Sequence, residues 1–588
     1  MTGFFNRILI VDLTEGNFSV EKIPDEVYMR FLGGKGFGAY LMYRLNKPGI
    51  DALSAENHFI VLTGPINDTG IWGSSRYAVI TKSPLTGIIS HSYSGGNVAE
   101  YISRTGYDAI VLKGKSKRPV YLEISDKDVR FCNAKDIWGT DTYSAEEAIK
   151  TSIKEKRLGV IVIGPAGERL VRIANITNNK WRCAGRTGVG AVLGAKNVKG
   201  IAFYGNKKRN VADHEAILHF RDEWKKKVKD HPSSRSYKRI GTPGLVSIIN
   251  HVEAFPSRYW HDGKMEGWES ISGETLHKDF SVKPHACYMC LLACGRMTKI
   301  DKGKYAGLKI EGPEYETLYA YGGLCLIKNL EDIIFLNDLS DRLGLDTISA
   351  GNLCAFAIEA SKKGKIEEKI DYGDTDAIAK LLKDMAYKRG VGSILAEGIV
   401  YAAKTFNMED MAIHVKGMEP AGYDPRYFKG MGLAYATSDR GACHLRSTFF
   451  RAELAGMVDN DNKEDMANLF IDFEDRLNLH DALILCRFYR DMYGWEELGR
   501  IIKMVTGMEL NKKGLSEIAS NIQDVTRLFN IREGMTEKDD NLPERFFKEP
   551  IGKDKNVITK QALEQMKAAY YRLRGWDESG IPQKNRVI

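Results

Sequence analysis

No apolar run in this chain approaches the roughly 18 residues that a membrane-crossing helix needs. One of the longest, LGVIVIG at 158–164, has the length of a buried strand. The opening residues, MTGFFNRILIVDL, lack a basic segment followed by an apolar one, so no secretory signal is read there and a cytoplasmic location is expected. In that reducing setting clustered cysteines hold metal more often than they form disulfides. Charge excess is also scarce: 85 Lys and Arg against 77 Asp and Glu leave +8, modest for 588 residues. The densest basic run, RDEWKKKVKDHPSSRSYKR at 221–239, reads as a solvated helix and loop. A nucleic-acid face would want interleaved aromatics and a recognisable fold, so no nucleic-acid partner is expected; a basic face also suits an acidic protein. Neither a 20–50-residue repeat nor a low-complexity tract is visible.

What is present divides in two. Up to about residue 205, short alternating runs bounded by Gly, Pro, Asn or Asp read as strands. RILIVDLTEGNFSVEKI looks like a hairpin about TEGN, and RYAVITK, YDAIVLKG, VYLEISDKDVRFC, GVIVIG and GIAFYG continue the pattern. After GNKKRN at 205–210, helical spacing dominates, as in LEDIIFLNDLSDRLG, DAIAKLLKDMAYKRG and SILAEGIVYAAKTF, with Gly closing several segments. The length suits two to four domains. The reading is an α+β chain: a β-rich part at 1–208, a helical part at 209–412 and a helical C-terminal part at 413–588.

Three of only nine cysteines fall in CYMCLLACG, at Cys287, Cys290 and Cys294. On a helix, C-x2-C-x3-C places the three sulfurs within roughly 60° of one another. Zinc commonly wants a second C-x2-C pair or a His pair. The chain has no second C-x2-C, and His285 is too near Cys287 to close the same tetrahedron. A [4Fe–4S] cluster takes three close thiolates and one distant one. Spacing therefore favours iron–sulfur over zinc or chance, and it does not choose the fourth ligand among Cys132, Cys183, Cys325, Cys354, Cys443 and Cys486.

Two later segments are loosely alike: DRLGLD, with Asp341, Gly344, Leu345 and Asp346, and DALILC, with Asp481, Leu485 and Cys486. Read with the cysteines and with GGKGFGAYLM, SSRYAVITKSPLTG, RCAGRTGVGAVLGAKNVKGIAFYG, EGPEYET, SDRGACHLR and YYRLRGWDESGIP, they carry a resemblance over nearly the whole chain. The chain resembles the tungsten-containing aldehyde ferredoxin oxidoreductases. That resemblance implies a β-sheet base carrying two helical domains. It implies tungsten (or molybdenum) held by two pterins, and a [4Fe–4S] cluster on Cys287, Cys290, Cys294 and Cys486. Asp341, Gly344, Leu345 and Asp346 become the binding stretch for one pterin; Asp481, Leu485 and Cys486 serve the other. A carboxylate suits the ring N–H donors of a pterin.

By the same resemblance, Arg76 lies between a pterin and the cluster. Ser94, Gly95 and Gly96, with Arg182, Ala184 and Gly185, belong to the loops that meet the pterin phosphates and a bridging Mg2+. The family often has Asn where this chain has Tyr93; that contact runs through the backbone, so the ion is still expected. Without the resemblance, these Gly-rich pieces and GGKGFG at 33–38 read as turns. EGPEYET alone reads as a helix start at Pro313, with acidic residues favoring the N-terminal dipole. By resemblance, Glu316 is the base and His444 the carbonyl-polarising group beside the metal.

The implied activity is oxidation of aldehydes to carboxylic acids with water, electrons passing to ferredoxin or a small iron–sulfur subunit. Three rivals are weighed against it. One is the active-site subunit of a benzoyl-CoA ring reductase; the others are a non-catalytic iron–sulfur carrier and a zinc-stabilised binding protein. The intact EGPEYET and DRGACHLR pair favours aldehyde oxidation. Sequence leaves homo- or hetero-oligomers open.

Overall fold

Near-continuous apolar runs such as FIVL, AIVL and GVIV bury both faces of the central N-terminal strands, and two sheets result. The computed structural model describes residues 1–583. Strands β1 (Arg7–Asp12), β2 (Asn17–Lys22), β3 (Phe59–Leu62), β4 (Tyr77–Lys82), β5 (Ile89–Ser94) and β6 (Ala109–Lys113) form one sheet in the order β2-β1-β6-β3-β4-β5. A second sheet is built from β7 (Val120–Ile124), β8 (Val129–Asn133), β9 (Gly159–Val162), β10 (Ile176–Asn178), β11 (Arg182–Ala184) and β12 (Val198–Phe203). Its order is β11-β10-β9-β12-β7-β8. Replacing β1–β6 by β7–β12 reproduces the order. It also reproduces every strand sense: β1–β6 and β7–β12 are the parallel pairs, and all the others are antiparallel. The base is thus a duplicated unit of about a hundred residues, longer than any period sought in the sequence.

Leu9, Val11, Phe59, Val61 and Ile110 of the first sheet meet Leu122, Ile161, Ile201 and Phe203 of the second in one dry layer. Each such side chain contributes about 1.5–3 kcal/mol by leaving water. The opposite residues, Ile8, Ile60, Leu62 and Val111, bury against helices from both halves of the chain. The helices used below are α1 (Gly34–Leu45), α2 (His214–Asp230), α3 (Pro232–Arg239), α4 (Leu330–Leu343), α5 (Thr347–Lys362), α6 (Lys463–Leu483) and α7 (Lys512–Arg532). The hairpin about TEGN and the strands expected from the sequence are all present. SILAEGIVYAAKTF is two helices rather than one, parted at Gly398. Among the described residues no helix is long and apolar enough to cross a membrane.

The duplication extends to how the helices stop. Helix α4 closes on Gly344 at φ 77°, and α6 on Ile484 at φ 55°. In both, the next amide reaches back into the last turn: Leu345 N–H to Ser340 O at 2.9 Å, Leu485 N–H to His480 O at 2.7 Å. Each end packs on a Gly-Pro loop leaving the third strand of its sheet unit. A side chain at Gly64 would strike the Leu483 carbonyl, and one at Gly164 the Leu343 carbonyl. Glycine at these two points is what lets strand loop and helix end touch.

Candidate functional site

The loops after β5 and β11, the two helix ends and the cysteine segment enclose one cavity of about 400 Å3. Of the residues expected from the sequence, Arg76, Ser94, Gly95, Arg182, Gly185, Asp341, Leu345, Asp346, Asp481 and Leu485 line it. So do Cys287, Cys290, Cys294, Cys486, Glu316 and His444. Gly96, Ala184 and Gly344 stand behind the wall. The Gly96 N–H donates to Cys287 Sγ at 3.2 Å, Ala184 pairs with Ile176, and Gly344 closes α4.

The cysteine segment is not helical. It is a loop between β13 (Ser281–His285) and β14 (Gly295–Lys299), turned by left-handed Met289 and Ala293 at φ 48° and 47°. Those turns, not helical periodicity, bring the three thiols to one wall. Gly73 then joins Cys486 to that wall: its N–H donates to Met289 O at 2.8 Å and its carbonyl accepts from Cys486 N–H at 2.9 Å. Among the described residues no group of His, Cys, Asp or Glu converges tightly enough to hold a single ion.

The two aspartates occupy matching helix ends in unlike fields. Asp341 accepts from Asn337 Nδ2 at 2.8 Å and has no basic partner among the described residues; burial pushes its carboxyl well up. Asp481 is gripped by Arg446 at 2.6 Å and by Arg487. Burial raises Asp481 too, but those guanidiniums outweigh it and its carboxyl lies below the usual range. Arg446 also donates to His91 Nδ1 at 2.6 Å; His91 Nε2 meets Asp439 at 2.8 Å, and Lys35 of the GGKGFG stretch meets Asp439 at 2.5 Å. Beyond the aspartates the halves diverge again. Asp346 caps α5 and holds Arg186 at 3.1 Å, whereas its counterpart is Cys486.

Glu316 and His444 meet with Nε2 3.5 Å from Oε1. Helix Tyr315–Thr317 begins two residues after Pro313, not at it, and continues into a wider π-turn over Leu318–Leu324, a winding common at functional sites. Burial lifts Glu316 to about 8, against one amide from Gly422 at 3.1 Å and the more distant charge of Arg186. His444 is driven well below its usual range by burial and by Arg186 and Arg440, so its imidazole is neutral. Beside it, Arg440 donates to Cys443 Sγ at 3.0 Å, and with Arg446 it brings that buried thiol down to about 6. Tyr423, stacked on Phe450 at 3.9 Å, lies 5.5 Å from the imidazole.

Sequence reasoning missed Arg186, Arg440, Arg446, Arg487 and Arg490, which have no characteristic spacing. Around the cavity, Arg182 Nε, Arg446 Nε and Nη2, Arg487 Nη1 and Tyr93 Oη have no hydrogen-bond acceptor among the described residues. Buried donors left unmet cost about 1–3 kcal/mol each. This donor set fits an anionic group rich in phosphate and ring acceptors. Tyr93, treated above as a backbone position, also presents its ring, with Arg446 over it at 5.6 Å.

Comparison with known proteins agrees. Residues 8–205 match the family model for the aldehyde ferredoxin oxidoreductase N-terminal domain, and 219–588 match that for its domains 2 and 3. The chain is 35% identical to the tungsten-containing aldehyde ferredoxin oxidoreductase of Pyrococcus furiosus, over 100% of this chain and 98% of that protein. It is 29% identical to an aliphatic sulfonate oxidoreductase, WOR-like subunit, of the same organism, over 99% and 96%. Among solved structures it superposes with TM-score 0.85 and 23% identity on the active site complex BamBC of benzoyl coenzyme A reductase, covering 99% of this chain and 96% of that one. The chain belongs to the aldehyde ferredoxin oxidoreductase family, whose members imply a tungsten or molybdenum pterin cofactor.

Proposed function

We propose that this family member oxidises aldehydes to carboxylic acids with water and sends the electrons through a [4Fe–4S] cluster to ferredoxin or a small iron–sulfur partner. The observation that carries the reading is the Glu316–His444 pair, 3.5 Å apart, in the cavity that also holds the four cysteines and both aspartate helix ends. Cys287, Cys290, Cys294 and Cys486 would hold the cluster. Asp341, Gly344, Leu345 and Asp346 would hold one pterin, and Asp481, Leu485 and Cys486 the other. Arg76 would stand between a pterin and the cluster. The loops at 94–96 and 182–185 would meet the phosphates and a bridging Mg2+, with the unmet guanidinium donors nearby supporting an anionic group.

When bound, the bis-pterin tungsten or molybdenum supplies the acceptor for an electron pair. An aldehyde and water yield an acid, two electrons and two protons. Glu316, as carboxylate, takes a proton from the attacking water; its pKa of about 8 makes it a strong base for a carboxylate. The neutral imidazole of His444 has one N–H to offer the carbonyl oxygen and polarise it. The largely buried surround strengthens both interactions.

Glu316→Gln is expected to lower kcat by about 10²- to 10⁴-fold with metal and iron contents unchanged. Loss of metal from that variant would make Glu316 a structural support instead. Aldehyde-dependent viologen reduction checks the reaction class; dienoyl-CoA formation from benzoyl-CoA in its place would overturn it.

A further inference from the structure

We infer that the outer face of α2 and α3, with the exposed cysteine loop at 284–291, is the docking surface for an acidic iron–sulfur electron acceptor. The inference rests on the proposed electron exit through the cluster. Residues 214–239 carry eight Lys and Arg against four Asp and Glu, an excess of 8 − 4 = 4, which is half of the chain's +8. The inward faces of these helices are apolar, with Trp224, Val228 and Tyr237 buried. Lys225, Lys226, Lys229, Lys238 and Arg239 are exposed and have no carboxylate partner among the described residues. Lys227, by contrast, is compensated by Glu223 at 2.5 Å.

This unbalanced charge is fixed to the cysteine loop at both ends. On one side the carbonyl of Arg221 in α2 accepts from Trp72 Nε1 at 2.8 Å, and the adjoining Gly73 N–H holds Met289 O at 2.8 Å. On the other, buried Arg296, two residues after Cys294, donates to the carbonyls of Tyr237 at 2.8 Å and Lys238 at 3.0 Å in α3. A side chain at Gly241 would touch the Cys294 carbonyl, so the end of α3 lies against that ligand's backbone. Next to the Met289 anchor, Tyr288, directly after Cys287, is 45% exposed. Its charged neighbours are Glu100, Asp68 and Arg104, so the cationic part of the face is α2 and α3, and Tyr288 adds an exposed ring beside the cysteines.

With a reduced cluster held by Cys287, Cys290, Cys294 and Cys486, the step here would be transfer of a single electron to the oxidised cluster of the partner, with no bond or proton exchanged. Steering by such a face raises association rates by about 10- to 10³-fold and fades with salt.

The test uses the holoenzyme and an acidic [4Fe–4S] ferredoxin as probe. Binding is read directly by calorimetry and, separately, by turnover. The triple variant Lys225→Glu, Lys226→Glu, Lys229→Glu is expected to weaken ferredoxin binding at least tenfold and flatten its salt dependence. The ratio of ferredoxin-linked to viologen-linked aldehyde turnover should fall by a similar factor. A triple reversal elsewhere, Lys362→Glu, Lys363→Glu, Lys365→Glu, should leave binding within twofold. Unchanged binding in the first variant overturns the inference, as does an equal loss in the second, which would assign the effect to net charge. Absence of aldehyde turnover with either acceptor would sink the proposed reaction instead, while the binding titration still judges the surface.

Discussion

The two halves of the cavity share a backbone and differ in charge. Each half has a strand loop beginning Gly-Pro, a helix end closed in the left-handed region, and an aspartate in the last helical turn. In the first half Asp341 faces an amide side chain and, among the described residues, no cation; in the second Asp481 is clamped by two arginines and tied through Arg446 and His91 to a buried Lys35–Asp439 pair. The first half is built for recognition by hydrogen bonding. The second is a cation-rich wall running directly into the cysteines. Duplicated geometry therefore serves two jobs, and the side chains alone divide them.

The largest expected effect breaks this contrast at the aspartates. Asp481→Asn leaves Arg446 and Arg487 buried without their counter-charge, a loss of about 3 kcal/mol or more. Asp341→Asn removes no ion pair and should be neutral or slightly stabilising in metal-free protein. The pH dependence has opposite signs. Asp481, held below its usual range, stabilises above the unfolded carboxylate pKa, and that contribution is lost on acidification. Asp341, held above its range, stabilises while protonated and loses that as pH rises. Urea denaturation of both variants between pH 5 and 8 should show the gap between them widening with pH. Equal losses would mean the halves are electrostatically alike.

A middle-sized effect sits at the seam. Burial first, then Arg186 and the arginines of the second half, keep His444 neutral, and burial also governs Glu316. A base must be deprotonated, so kcat/KM should rise with pH through about 8. The imidazole is expected to add no limb between pH 5 and 7, where the Cys443 thiol, brought down to about 6, titrates beside it. A limb near 6 that persists in Cys443→Ser would mean that the imidazole is not held neutral.

How much of this was readable follows from what leaves a local signal. Alternation betrayed the strands, and Gly344 after an apolar helix betrayed a helix end, because both are set by neighbours in sequence. Cys287, Cys290 and Cys294 announced themselves by spacing, although the helix that would converge them is a loop instead. Cys486 joins them through Gly73 and Tyr489, contacts that no local spacing records, so only resemblance singled it out. The sheet duplication was invisible because strand order depends on long-range pairing, and Gly64-Pro65 and Gly164-Pro165 are too short a match to find. Arg186, Arg446 and Arg487 left no trace, since an isolated arginine reads as surface until its burial is seen.

The smallest effect sharpens the backbone side of the comparison. Gly344 and Ile484 hold the same left-handed position at φ 77° and 55°, yet one is glycine and the other a β-branched residue. In the second half, burying the isoleucine to 1% exposure contributes about 1.5–3 kcal/mol and offsets the conformational cost. In the first half the helix end sits against the backbone of Gly164, and a Cβ at Gly344 would lie 2.9 Å from that amide nitrogen. Gly344→Ala should therefore cost about 1–2 kcal/mol from the left-handed conformation, with no apolar gain in return. Ile484→Gly relieves strain but empties a packed site, so it should also lose stability, by about 1–3 kcal/mol. Denaturation midpoints for the two variants measure both terms. If Gly344→Ala is silent while Ile484→Gly is costly, the shared helix stop is held by packing in both halves, and the left-handed turn is its consequence.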